Sequence, residues 1–214
     1  MYMKQFWIGF LFFMTLSGMQ AQTVADYFYV IPEVYLPQLE PNRLKDMVDM
    51  KLAGQQATAP NLLGGEAKIL SLTDDYMQVS VSDALTLEIK QFERFLPKDQ
   101  IDTLLCVIRT TCGPQCDSEV LFFTTQWQNV PADAVSFQPR ILDFLKPNVS
   151  ARDSLVAQAI RSVDMPLFVY SFIDGSDSTL LVTQDWAADL PESIAKEVKP
   201  YFETQIALPI RFKD

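Results

Sequence analysis

The sequence contains no histidine. That absence removes the commonest general base, the usual partner of a nucleophilic serine or cysteine, and the commonest metal ligand. Ser-His-Asp and Cys-His hydrolases are excluded on this ground, as are histidine-dependent zinc sites. Basic side chains are also scarce, 17 Lys and Arg against 27 Asp and Glu. So acidic a surface repels phosphate backbones and anionic membranes, which argues against nucleic-acid binding. After residue 22 no apolar run is long enough to span a bilayer, so membrane insertion is not expected there. Cysteine is limited to three residues.

What is present starts with an N-terminal export signature. Lys4 supplies a positive start, Phe6 to Leu16 is an apolar run, and small and polar residues follow as far as Ala21. This is the order of a secretory signal peptide, with cleavage expected after Ala21. The expected organisation is therefore a signal peptide over 1–21 and one domain over 22–214, with a possible sub-boundary in the proline-rich stretch 128–150. The mature chain would carry a net charge of −11. A periplasmic or secreted location follows.

Periodicity then sets the fold class. From Pro41, the residues Leu44, Met47, Val48 and Leu52 share one helical face, and Gly54 suits the position just past the end. A helix is expected over 41–53. Strand candidates follow at 67–73, 76–82 and 84–92. In the last, Leu85, Leu87 and Ile89 alternate with Thr86, Glu88 and Lys90, which predicts antiparallel strands with one wet face. Segments 103–111 and 119–127 are apolar on both faces and read as central strands. A short helix is expected at 139–146, and a further helix opens at Ser150–Asp153, which has capping-box spacing. A second hairpin (166–173 with 178–186), a helix from Pro191, and an edge strand over 204–212 holding Pro209 complete the chain. The fold class is α+β: one mainly antiparallel sheet of about six to eight strands, with helices packed on one face. The two hairpins share a turn ending in Asp-Ser and a closing tryptophan (Trp127, Trp186), consistent with a degenerate internal repeat.

Three groups of residues could carry chemistry. Cys112 and Cys116 flank Gly-Pro-Gln, with Cys106 upstream. A redox centre needs a shorter Cys-x-x-Cys spacing at a helix N-terminus, and a metal site needs more soft ligands than are at hand. A Cys112–Cys116 disulfide across a tight turn is the expected state, with Cys106 a buried thiol. Asp74-Asp75 and Asp174-Gly-Ser-Asp-Ser178 are oxygen-rich, but lack the alternation of a calcium loop and suit hairpin turns. Tyr27, Phe28, Tyr29, Tyr35, Trp127 and Trp186 would form a glycan or peptide platform only if they shared one surface. No catalytic, cofactor-binding or metal-ligating residue is assigned, and no cofactor is expected.

Three stretches are familiar in combination: PEVYLPQLEPNRLKDMVDM (32–50), NLLGGEAKILSLTDDYMQVSVS (61–82) and VIRTTCGPQCDSEVLFFTTQW (107–127). They resemble a family of secreted Gram-negative bacterial proteins known only as a domain of unknown function, number 3256. The resemblance spans most of the mature chain and implies an exported single-domain protein. It implies no activity, cofactor or catalytic residue. The expected function is a non-enzymatic binding or accessory protein of the bacterial envelope, with a protein, peptide or envelope glycan as partner. The rival is a carboxylate-dependent hydrolase acting on glycans, which would need two facing carboxyl groups in a cleft.

Overall fold

The computed structural model describes residues 22–96, 100–150, 153–163, 166–173, 178–184 and 190–212. The expected signal segment, most of the Asp174–Ser178 turn and Trp186 lie outside them.

Two helices come first. In α1 (Val24–Tyr29) the Asp26 carboxylate accepts the Thr23 backbone N–H at 2.8 Å, satisfying an amide that the first turn leaves unpaired. Helix α2 (Pro41–Leu52) starts on a proline, whose missing N–H costs nothing in a first turn, and is followed by Gly54 at φ +70°. Six strands then run as a meander: β1 (Thr58–Pro60), β2 (Glu66–Leu72), β3 (Tyr76–Ser82), β4 (Leu85–Leu96), β5 (Gln100–Cys112) and β6 (Cys116–Thr124). Neighbours in sequence are neighbours in space, and every pairing is antiparallel. The α+β class and the antiparallel sheet are as the alternation implied.

The remainder forms a second layer. It holds β7 (Val135–Ser136), α3 (Ser154–Ser162), β8 (Phe168–Phe172), β9 (Thr179–Gln184), α4 (Glu192–Val198), β10 (Gln205–Pro209) and β11 (Arg211–Phe212). Strands β10, β9 and β8 make a three-stranded antiparallel sheet, and β11 leaves it to pair with β7. Pro209 closes the edge strand β10, where its absent N–H breaks no central ladder.

Two cores sandwich the large sheet. One face presents Ile69, Met77, Val79, Leu87, Ile89, Leu105, Val107 and Phe123 to α1 and α2. The opposite face presents Phe92, Cys106, Ile108 and Phe122 to the second layer, including Val156 and Ala159 of α3 and Val198 of α4. Helices thus pack on both faces, because β5 is apolar on both: Leu104 to Ile108 are all buried.

Local differences have local causes. The helix expected at 139–146 is a single 3-10 turn, Ile141–Phe144, since Pro147 pushes the chain before it toward extended geometry and Leu145 sits at ψ 130°. The cap of α3 is Asp153 itself, whose side chain accepts the Leu155 N–H at 2.9 Å. The two hairpins likened in sequence both form, but in different sheets.

Candidate functional site

The largest departure from the sequence reading is on β4. Glu88 and Lys90 belong to the face expected to be wet, yet they are 7% and 6% exposed. The second layer covers that part of the face. Strand β8 is an edge strand of its own sheet, and its outward amides need partners. Side chains of the large sheet supply them. Phe168 N–H reaches Asp117 Oδ1 at 3.3 Å, Tyr170 N–H reaches Ser118 Oγ at 3.2 Å, and Phe172 N–H donates to the Glu88 carboxylate. Asp117 and Ser118 lie on β6 and Glu88 on β4, so β8 crosses the large sheet rather than extending it.

Tyr76 completes this seam. Its hydroxyl donates to Glu88 Oε2 at 2.9 Å, and its ring meets the Phe172 ring edge-on at 5.8 Å. The Phe92 ring also packs on Phe172, with centroids 5.9 Å apart. Burial pushes the Glu88 carboxyl above its usual range, and the Tyr76 and Phe172 donors pull it only part of the way back. Burial also pushes the Cys106 thiol well up, with the nearby Glu88 charge adding to it. A thiol held protonated in the core is an unreactive small hydrophobe.

The cysteine pair is bonded as expected. Cys112 and Cys116 stand directly opposite at the end of β5 and β6, and Gly113 N–H donates to the Gln115 carbonyl at 2.9 Å across the turn. Strands flank the pair on both sides, so no helix dipole activates either sulfur. Beside it lies a cavity of about 280 Å³, lined by Pro114, Gln115, Cys116, Leu167, Val169, Thr183 and Gln184.

Among the described residues the named aromatics do not form a surface platform. Tyr27, Phe28 and Trp127 are buried, the Trp127 indole N–H donates to the Tyr27 carbonyl at 3.1 Å, and Tyr35 packs on Phe123 and Trp127. Asp74 and Asp75 form the β2–β3 turn, where Asp75 Oδ1 accepts the Thr73 hydroxyl at 2.8 Å. Among the described residues no three Asp, Glu or Cys side chains converge on a metal position.

Sequence reasoning missed one surface feature. In the β1–β2 loop, Asn61 is buried and acts as a clamp. Its Nδ2 donates to the Val81 carbonyl at 2.8 Å, while Oδ1 accepts the N–H groups of Leu63 and Gly65 at 2.9 Å each. Asn61 N–H donates to the Gly65 carbonyl, Leu62 N–H donates to the Gln38 carbonyl, and Gly64 adopts φ +85°. The backbone is fixed on every side, yet Leu62 and Leu63 are 63% and 67% exposed. The only signal in the sequence was the unusual pairing of two leucines with Asn and Gly-Gly.

A six-stranded meander with helices on one side and a helix-and-hairpin layer laced across the other defines a strand-rich α+β protein whose buried polar groups serve as struts. Among the described residues no helix is long and apolar enough to cross a membrane. The chain belongs to the family described as "Protein of unknown function (DUF3256)", whose model matches residues 16–211. It shares its fold with a domain of an uncharacterized protein from Porphyromonas gingivalis W83, with a TM-score of 0.71 and 21% identity over 86% of this chain and 91% of that one. No functionally curated protein matches it.

Proposed function

We propose that this chain is an exported, non-enzymatic binding or accessory protein of the bacterial envelope, and that its partner is a protein or peptide. One observation carries the reading: the Asn61-clamped loop holds Leu62 and Leu63 rigid in solvent. Leucines left largely in solvent contribute little to the core of their own fold. A loop ordered in advance loses little entropy on binding, so its apolar side chains contribute most of their burial to a complex. The strongly acidic chain argues against an anionic lipid surface as the target.

The hydrolase reading lacks comparable support. It calls for two carboxyl groups about 5 to 10 Å apart in a cleft, one with a raised pKa. Glu88 has the raised pKa, but its oxygens are taken up by Tyr76 and the Phe172 amide in the seam between layers.

Capture of partners from envelope extract tests the proposal. The wild-type chain should retain a stoichiometric protein that the Leu62→Ser/Leu63→Ser variant loses, with melting temperature unchanged. Identical capture by both would remove the loop from the argument. Turnover of glycans by the purified chain would replace the binding reading with the enzymatic one.

A further inference from the structure

Cleavage after Ala21 would leave Gln22 as the first residue of the mature chain, and a glutamine there has a chemistry of its own. Its free α-amine and its side-chain amide carbon can close a five-membered ring. The attack is intramolecular, so no second molecule has to be brought into place. The same residue inside a chain is inert, because an acylated nitrogen is a poor nucleophile. This chemistry therefore rests on the exported reading above and on cleavage at that bond.

The contacts of Gln22 are compatible with ring closure. Its backbone carbonyl accepts the side-chain N–H of Gln91, on β4, at 3.1 Å. Its side-chain oxygen, Oε1, accepts the Tyr27 hydroxyl at 3.4 Å. The side-chain nitrogen donates to nothing among the described residues. Gln22 is exposed, on the rim of an open recess that Leu52, itself 67% exposed, also borders. Closure keeps both acceptors, since the peptide carbonyl is untouched and Oε1 becomes the lactam oxygen. It expels only the nitrogen that holds no partner.

The residues after Gln22 give a blocked end its purpose. Thr23 donates its N–H and hydroxyl to Asp26 Oδ2 at 2.8 and 3.0 Å, the capping contacts of α1. Val24 is 0% exposed, and its N–H donates to the Asp74 carbonyl at 2.7 Å. Loss of two residues from a free end would uncap α1 and place a charged amine on a core residue. A pyroglutamate has no α-ammonium for an aminopeptidase to engage.

We propose that Gln22 is a modification site that closes to pyroglutamate after export. The α-nitrogen forms a bond to Cδ and the bond from Cδ to Nε2 breaks. The amide nitrogen leaves as ammonia, taking the proton that the amine gives up. No oxidant, metal or second substrate is consumed.

Mass spectrometry of the protein purified from its native cells tests the assignment. The N-terminal peptide should begin at Gln22 and weigh one ammonia less than its unmodified sequence. A synthetic peptide of residues 22–29, carried through the same digestion, should keep its full mass. Closure of that peptide to the same extent would assign the loss to handling and overturn the site. On the folded protein, an added aminopeptidase should leave the wild type intact. It should shorten Gln22→Ser, whose melting temperature then falls as Thr23 is lost. A chain that begins at Gln22 with its ammonia retained would overturn the modification and leave the export reading standing. A chain that begins at any other residue would overturn both the cleavage bond and the site built on it.

Discussion

Glu88 accepts the backbone N–H of Phe172, a residue on the other layer and far along the chain. Together with Tyr76 it converts a strand residue expected in water into the strut that holds one edge of β8.

Its acidity makes a signed prediction. The folded value lies above the ordinary one, so ionisation of Glu88 costs folding free energy. The contribution is most favourable below the usual carboxylate range and is lost as pH rises through the raised folded value. Glu88→Gln removes the ionisation and keeps an oxygen for the Phe172 amide. It should raise the melting temperature at neutral pH and leave it nearly unchanged in acid, across thermal melts from about pH 4 to pH 8. A variant less stable than wild type at neutral pH would show instead that the seam needs the charge.

Glu88→Ala is the contrasting case. It strands the Phe172 N–H and the Tyr76 hydroxyl in a buried seam, and should cost about 2 to 3 kcal/mol in chemical denaturation. Hydrogen exchange should report the loss first at the amides of β8, before the six-stranded sheet responds.

The Cys112–Cys116 bond closes a very short ring. Constraint of so small a denatured-state loop is worth about 2 kcal/mol. Cys112→Ser/Cys116→Ser should therefore fold, with a correspondingly lower denaturation midpoint. Alkylation of the unfolded wild-type chain without reductant should label Cys106 alone.

The leucine loop depends on two supporting residues. Asn61→Ala leaves the Val81 carbonyl and two loop amides without their partner and should cost about 2 to 3 kcal/mol. Gly64 has open space around its Cα, so Gly64→Ala meets no clash. It should still lose about 1 kcal/mol, because φ +85° strains any residue with a Cβ. Denaturant midpoints of both variants check this, and both should bind the envelope partner more weakly than their residual folding explains.

Trp127→Phe keeps most of the packing against Tyr35 and Phe123 but removes the indole donor to Tyr27. A loss of about 1 kcal/mol in the denaturation midpoint is expected, with an earlier release of α1 in hydrogen exchange.

What could be read from the chain alone was set by near neighbours. The alternation of Met77, Val79 and Val81, the proline start of α2 and the Gly-Pro turn between Cys112 and Cys116 each depend on a few consecutive residues, and each took the form implied. The family kinship was equally legible, since its motifs are linear. The candidate sites were not. Glu88 and Lys90 carry the pattern of an exposed face, and only the passage of β8 over them decides otherwise. Leu52 carries the pattern of a core face, and only the end of the layer beneath it leaves it bare. Trp127 reads as a possible surface aromatic until its indole meets Tyr27, 100 residues earlier. Periodicity says which side of a strand or helix is apolar. What lies against that side depends on contacts between distant segments, and these arise only when the two layers close on the sheet.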